Sequence, residues 1–254
     1  MVQTFRHLLA CGSLALAPVA LVPVALAQTA ADVAKAQAEF SRAMAANDLP
    51  AMARALDTIV AGNRAAFGPD SPNTLSAVET RATVAQMAGD MALSERLYRE
   101  ALAGRARLGK PADEQIALDN NNLAQAIEAQ GRYADAEPFY RRALEIREKV
   151  AAPNARELGL SYNNLANNLA SSAKLEEAEA LFRKALAINL AREGAEGESV
   201  AASIANLGSV RAARGDYEGA EVEQRKALAL RLKRFRPPMT VDSPPARRAH
   251  RPAL

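Results

Sequence analysis

Histidine and cysteine are nearly missing, and their positions matter as much as their scarcity. His7 and Cys11 fall at one end and His250 at the other, so residues 12–249 carry neither. That removes Ser-His and Cys-His nucleophilic arrangements, the usual zinc ligand sets and any disulfide framework from the body of the chain. The 13 glycines are dispersed and form no phosphate-cradling loop. Aromatic residues make up 4% of the chain and none follows Phe235, so the basic C-terminal segment has no platform for stacking bases. Acidic pairs exist, Glu176-Glu177 and Asp135/Glu137, at places where second helices are expected to start. Carboxylates there meet the positive end of the helix dipole. A hydrolase working through carboxylates alone is the one enzymatic reading these absences leave, and nothing in the sequence supports it. The expectation is a chain with no catalytic residues, no metal and no cofactor.

What is present is repetition. Gly131-Arg132-Tyr133-Ala134-Asp135-Ala136-Glu137 is followed by Arg141-Arg142-Ala143-Leu144. The pattern returns 42 residues later as Ala173 to Glu179 with Arg183-Lys184-Ala185-Leu186, and again as Gly215 to Glu221 with Arg225-Lys226-Ala227-Leu228. One step upstream stand Gly89-Asp90 and Arg99-Glu100-Ala101-Leu102. A fixed period of this size marks a protein of stacked repeats. Within each repeat, apolar residues fall three and four apart, as in Ala136, Phe139, Tyr140, Ala143 and Leu144. Each repeat therefore holds two amphipathic helices, the first closing near the glycine and the second opening just after it. Small residues stand in register at Ala124, Ala166 and Gly208, at Ala136, Ala178 and Ala220, and at Ala101, Ala143, Ala185 and Ala227. They let helix backbones approach, while Leu123, Leu165, Leu207, Tyr140 and Phe182 fill the remaining space.

These residues resemble the tetratricopeptide repeat, in the 42-residue variety of kinesin light chains and many bacterial repeat proteins. The Asn-Asn-Leu-Ala strings at 121–124 and 163–166, the Gly-x-Tyr-x-x-Ala-Glu strings and the Gly68-Pro69-Asp70-Ser71-Pro72 loop carry the likeness. It is strong over about 112–232 and weaker over 72–111, where Arg81 and Ser94 replace the usual Leu and Ala. The resemblance implies an all-α fold, a right-handed superhelical solenoid of antiparallel helix pairs, and a protein-binding role. The expected organisation is a degenerate first repeat or cap over 28–67 and four repeats at about 68–109, 110–151, 152–193 and 194–235.

Both ends differ from the body. Arg6 and His7 precede an uncharged apolar stretch, Leu8 to Ala27, ending in Ala25-Leu26-Ala27. This is the pattern of a bacterial signal peptide cleaved between Ala27 and Gln28, which places the mature protein in the periplasm or outside the cell. Two other readings stay open. Twenty apolar residues could just span a bilayer as an inner-membrane anchor, though Pro18 and Pro23 argue against it. Leu8-Leu9-Ala10-Cys11 has the look of a lipidation site, though the apolar stretch runs on past Cys11. From Lys233 on, six basic residues stand among prolines with Asp242 the only acid, the composition of a disordered tail. Removing Arg6 and these six from the 32 basic residues, and Asp242 from the 29 acidic ones, leaves the body net acidic at about −3. The basic isoelectric point belongs to the tail, which is either a solvated end or a contact for an anionic surface.

In this family the first helices line the concave groove. Here they carry uncharged polar residues in register: Asn122, Asn164 and Asn206; Asn121 and Asn163; and, one turn on, Gln125, Asn167 and Ser209. Asn costs roughly 0.6 kcal/mol more than Ala in a helix interior, so packing alone does not favour such rows. An amide offers two donors and an acceptor, which suits the main chain of a bound peptide. The other reading is a ladder of Asn bonds between neighbouring first helices. Leu118, Leu160 and Ala202 stand where a carboxylate-clamping groove carries Lys or Arg, so such a clamp is not expected. Leu228, Leu230 and Leu232 near the end of the last helix are expected to be partly exposed, a place for a homodimer contact. The expected partner is a protein or peptide, not nucleic acid.

Overall fold

The computed structural model describes residues 24–109, 113–152 and 155–235. Ten α-helices occupy them: α1 Val24–Ala45, α2 Leu49–Phe67, α3 Pro72–Met87, α4 Met91–Arg107, α5 Glu114–Glu128, α6 Tyr133–Val150, α7 Arg156–Ser171, α8 Leu175–Glu193, α9 Glu198–Ala213 and α10 Tyr217–Phe235. There is no strand among the described residues. The protein is all-α, built of neighbouring helices packed in pairs. From α3 on, first helices start at 72, 114, 156 and 198 and second helices at 91, 133, 175 and 217, each set spaced by the sequence period. The N-terminal apolar stretch, except its last four residues at the head of α1, and the basic tail beyond 235 lie outside the described residues. No described helix is long and apolar enough to cross a membrane.

The chain divides into two compact units, Met1–Thr74 and Leu75–Leu254. In the first, α1 packs on α2. Gly62 makes this contact feasible, since a Cβ there would stand 2.1 Å from Val33 Cγ2. The second unit is a stack in which α5 pairs with α6, α7 with α8 and α9 with α10, and in which α4 meets α5, α6 meets α7 and α8 meets α9. Thr83 on α3 and Tyr98 on α4 share a hydroxyl hydrogen bond of 2.7 Å. The registered small residues are the close-contact points: Ala124, Ala166, Ala136, Ala178, Ala101, Ala143, Ala185 and Ala227 are all buried, and Leu123, Leu165, Tyr98, Tyr140 and Phe182 fill the space between them.

The turn inside each pair needs a left-handed residue, and the sequence supplies one at every step. Asn47, Gly89, Gly131, Ala173 and Gly215 have φ of 54°, 83°, 77°, 59° and 85°. Glycine suits this conformation and Ala173 holds it against its own Cβ.

The following residue shows a trade. Asp48, Asp90 and Asp216 cap the next helix by accepting from Ala51, Leu93 and Gly219 backbone N–H groups at 2.9, 3.0 and 2.9 Å. At the two middle turns this place holds Arg132 and Lys174, which cap nothing. They reach back to the preceding repeat, Arg132 to Glu95 at 2.8 Å and Lys174 to Glu137 at 2.7 Å. Where Asp216 returns, Arg214 and Arg211 take over the bond to Glu179.

Candidate functional site

A second 42-residue row joins the repeats and is not evident from residue identity. It runs Asn63, Arg105, Arg147, Asn189 along the second helices. Within the first unit, Asn63 donates to the Asn73 carbonyl at 3.1 Å. Arg147, 4% exposed, donates to the Glu157 carbonyl at 3.3 Å, to Ser161 Oγ at 2.8 Å, and to Glu114 Oε1 from Nε and Nη2. Asn189 repeats the first two contacts one step on, to Ser199 O at 3.4 Å and Ser203 Oγ at 2.9 Å. At Arg105 the acceptors are carboxylates, Glu79 on α3 and Asp119 on α5, with Gln115 donating to both at 3.1 and 3.0 Å. Burial and repulsion from Asp119 push Glu79 up to about 8, and burial also raises Asp119, against the pull of Arg105. These groups hold repeat to repeat.

A cavity of about 360 Å³ is lined by Asp113, Glu114, Val150, Ala151, Ala155 and Glu157. Two of its three acids are engaged elsewhere. Asp113 caps α5 by accepting from Ile116 N–H at 3.0 Å, and Glu114 is taken by Arg147. Among the described residues no group of three His, Cys, Asp or Glu could hold a metal ion.

The rows of uncharged polar residues split into two sets. Asn121, Asn122 and Asn164 are joined to one another and to the core. Asn122 donates to Tyr98 Oη at 3.2 Å, Asn121 to Asn122 Oδ1 at 3.4 Å, and Asn164 to Asn121 Oδ1 across from α7 to α5 at 2.8 Å. Gln125 accepts from Gln86 at 3.4 Å, and the Oδ1 of Asn163 is buried without a partner. The second set lies further along. Asn167 is exposed and Asn206 half-buried, and neither side chain has a hydrogen bond among the described residues. Ser209 donates to the Ala205 carbonyl at 3.1 Å and receives Gln224 at 3.4 Å. Asn167, Asn206 and Ser209 come together on the wall of a cavity between α7, α8 and α9, with Ala170, Leu175, Phe182, Val210 and Ala213. On the same first helices Leu118 and Leu160, in register, are 37% and 44% exposed.

The last repeat departs from the others. Glu223 and Gln224 stand where Leu181 and Phe182 stand one step earlier, so part of the outer side of the stack's end is polar. Leu228 and Leu232 remain 55% and 60% exposed, and Leu230 is half-buried.

A stack of helix pairs tied at fixed 42-residue intervals, with an uncharged face on its first helices, defines a helical-repeat protein. Tetratricopeptide-repeat family models match residues 114–191 and 200–235, so the repeats over those residues are similar to tetratricopeptide repeats. Among solved structures, the fold is shared with a Podosopora anserina protein of the kinesin light chain kind with nearly identical TPR-like repeats. Their TM-score is 0.71 at 19% identity over 84% of this chain and 99% of that one. It is shared with BtubC of P. vanneervenii, at TM-score 0.63 and 21% identity, over 89% and 98%. It is shared also with YrrB, described as a TPR protein with an unusual peptide-binding site, at TM-score 0.55 and 16% identity, over 77% and 84%. No curated protein matches the sequence.

Proposed function

We propose that this protein is an exported scaffold of the bacterial cell envelope that holds a peptide or protein segment against the first helices α5, α7 and α9. Tetratricopeptide repeats generally bind proteins or peptides, and a solved relative in fold has a peptide-binding site. The observation that carries the reading is the pair of amides, Asn167 and Asn206, side by side on one face without a partner among the described residues. Free amides on neighbouring helices suit a peptide main chain, which needs a donor and an acceptor at each step. Export rests on the Arg6 to Ala27 pattern.

The test is capture from envelope extract by the mature protein from Gln28, compared with the Asn167→Ala/Asn206→Ala double variant. These two are preferred to Asn122 and Asn164, whose side chains take part in the internal ladder. A partner retained at full strength by the double variant, with helicity unchanged, refutes this face as the binding surface. Fractionation with mass determination tests export, and an unprocessed, membrane-bound chain refutes it.

A second reading, self-association through the last helix, is favoured by the exposed Leu228 and Leu232 on α10. Sedimentation at several concentrations tests it, and a strict monomer excludes it.

A further inference from the structure

The junctions α5/α7 and α7/α9 are built from positions 42 residues apart, yet one is plugged and the other is open. At the first, Glu128 accepts from Tyr140 Oη at 2.7 Å and from Asn168 Nδ2 at 3.3 Å, and Asn168 also donates to the Tyr133 carbonyl at 3.1 Å. Tyr140 and Asn168 are buried in doing so. One period on, Glu128 becomes Ala170, Tyr133 becomes Leu175, Tyr140 becomes Phe182 and Asn168 becomes Val210. The three polar side chains of the plug, Glu128, Tyr140 and Asn168, are lost and all four replacements are apolar. All four replacements line the cavity of about 230 Å³ between α7, α8 and α9. Phe182, itself almost wholly buried, is part of its wall. The lip carries the free amides of Asn167 and Asn206 and the Ser209 hydroxyl, and no lining residue is charged.

We infer that this cavity is a side-chain socket: it takes one bulky apolar side chain, aromatic or branched aliphatic, from an uncharged extended peptide whose main chain lies on Asn167 and Asn206. The inference rests on the proposed binding face and adds what that face selects. A charged anchor would lose its hydration against Phe182, Leu175 and Val210 with nothing there to pair it. An apolar one displaces water from an apolar wall. The lip amides then hold backbone groups, which fixes one residue of the peptide in the socket and its neighbours outside. With no charge on the lining or on the peptide, the affinity is expected to depend little on salt.

The experiment uses the full chain and two kinds of probe. Toluene, benzoate and benzylamine are titrated while the methyl resonances of Leu175 and Val210 are followed. A random twelve-residue peptide library is panned on the same protein. Two variants fill the socket: Ala170→Glu/Phe182→Tyr/Val210→Asn rebuilds the plug of the preceding repeat, and Ala213→Leu adds apolar bulk alone should the triple change fail to fold. Toluene is expected to shift both methyls and the two charged probes are not. Enriched peptides are expected to carry one bulky apolar residue in an uncharged stretch, and a filled variant to bind them at least tenfold more weakly. Absence of toluene binding, or an equal shift of the Leu175 methyls in a filled variant, overturns the socket. Peptides that require Asn167 and Asn206 but bind filled variants unchanged overturn the socket and leave the binding face standing. Toluene binding with no peptide enriched overturns the binding face, and with it the assignment of the socket to a peptide anchor.

Discussion

Replacing Arg147 by methionine isolates what the inter-repeat row contributes. Methionine keeps most of the apolar stem, so the change removes the guanidinium with little loss of packing. Three acceptors are then deserted. Glu114, 48% exposed, regains water, and its share is that of a half-exposed ion pair, at most about 1 kcal/mol. The Glu157 carbonyl keeps its helical partner, but the Ser161 hydroxyl is different. Ser161 is 2% exposed and cannot be rehydrated without opening α6 from α7. A buried polar group left unpaired costs about 1–3 kcal/mol, so the substitution is expected to lower stability by about 3 kcal/mol. The second arm of a double-mutant cycle separates orphaning from general damage. Ser161→Ala alone loses one good hydrogen bond, about 1 kcal/mol, but in the Arg147→Met background it removes an orphan and restores stability. The expected coupling is about 1–2 kcal/mol, read from urea unfolding of the full chain by far-ultraviolet circular dichroism with the m-value checked for constancy. A loss below about 1 kcal/mol for Arg147→Met, or a Ser161→Ala effect equal in both backgrounds, would refute the reasoning.

Ser94 stands fully buried in the place where other repeats have Ala136, Ala178 and Ala220, and its hydroxyl has no partner. Ser94→Ala is expected to raise stability by about 1 kcal/mol in the same assay, and a loss counts against the orphan reading. Ala173→Gly relieves a left-handed alanine and is expected to stabilise by about 0.5–1 kcal/mol, whereas Gly131→Ala destabilises by about 1 kcal/mol. Equal signs would show that the turn does not need glycine. Glu79 is held above its ordinary range, at about 8, by burial first and by Asp119 second. The folded state keeps a proton that the unfolded chain releases near pH 4.5, so stability is full at low pH and falls as pH rises toward 8. Glu79→Gln is expected to flatten the thermal midpoint between pH 5 and 8. A slope unchanged by the substitution would mean the cluster of Glu79, Arg105, Asp119 and Gln115 is not its source.

Helix starts, turn positions and close-packed alanines were legible in the sequence because they repeat by identity. Gly89, Gly131 and Gly215 announce a left-handed turn, and Ala101, Ala143, Ala185 and Ala227 announce a seam. The row Asn63, Arg105, Arg147, Asn189 repeats by function instead. Amides stand at its two ends and guanidiniums between them, and their acceptors change from a carboxylate at Asp119 to hydroxyls at Ser161 and Ser203. No single residue type marks the row. The candidate face was read as one polar strip, since Asn122, Asn164 and Asn206 share a register. Spacing does not report that Asn164 is turned to Asn121 while Asn206 is left free. The contrast between the plugged and open junctions was likewise hidden: Ala170, Phe182 and Val210 each look like ordinary core residues. Only the comparison with Glu128, Tyr140 and Asn168 in place shows what their substitution removes.

The exchange of capping aspartates for Arg132 and Lys174 bears on how the stack comes apart. A cap strengthens its own helix whatever the neighbour is doing; a cation that bonds back to Glu95 or Glu137 has that partner only while the preceding repeat is folded. In a linear array this shifts stability from the single unit to the boundary between units, and boundary terms govern cooperativity. The turns at Arg132 and Lys174 should therefore unfold as one block, with fraying confined to helices that begin behind an aspartate. Amide exchange resolved along the chain would show this as a plateau of equal protection from α6 to α8, stepping down at α4 and at α10.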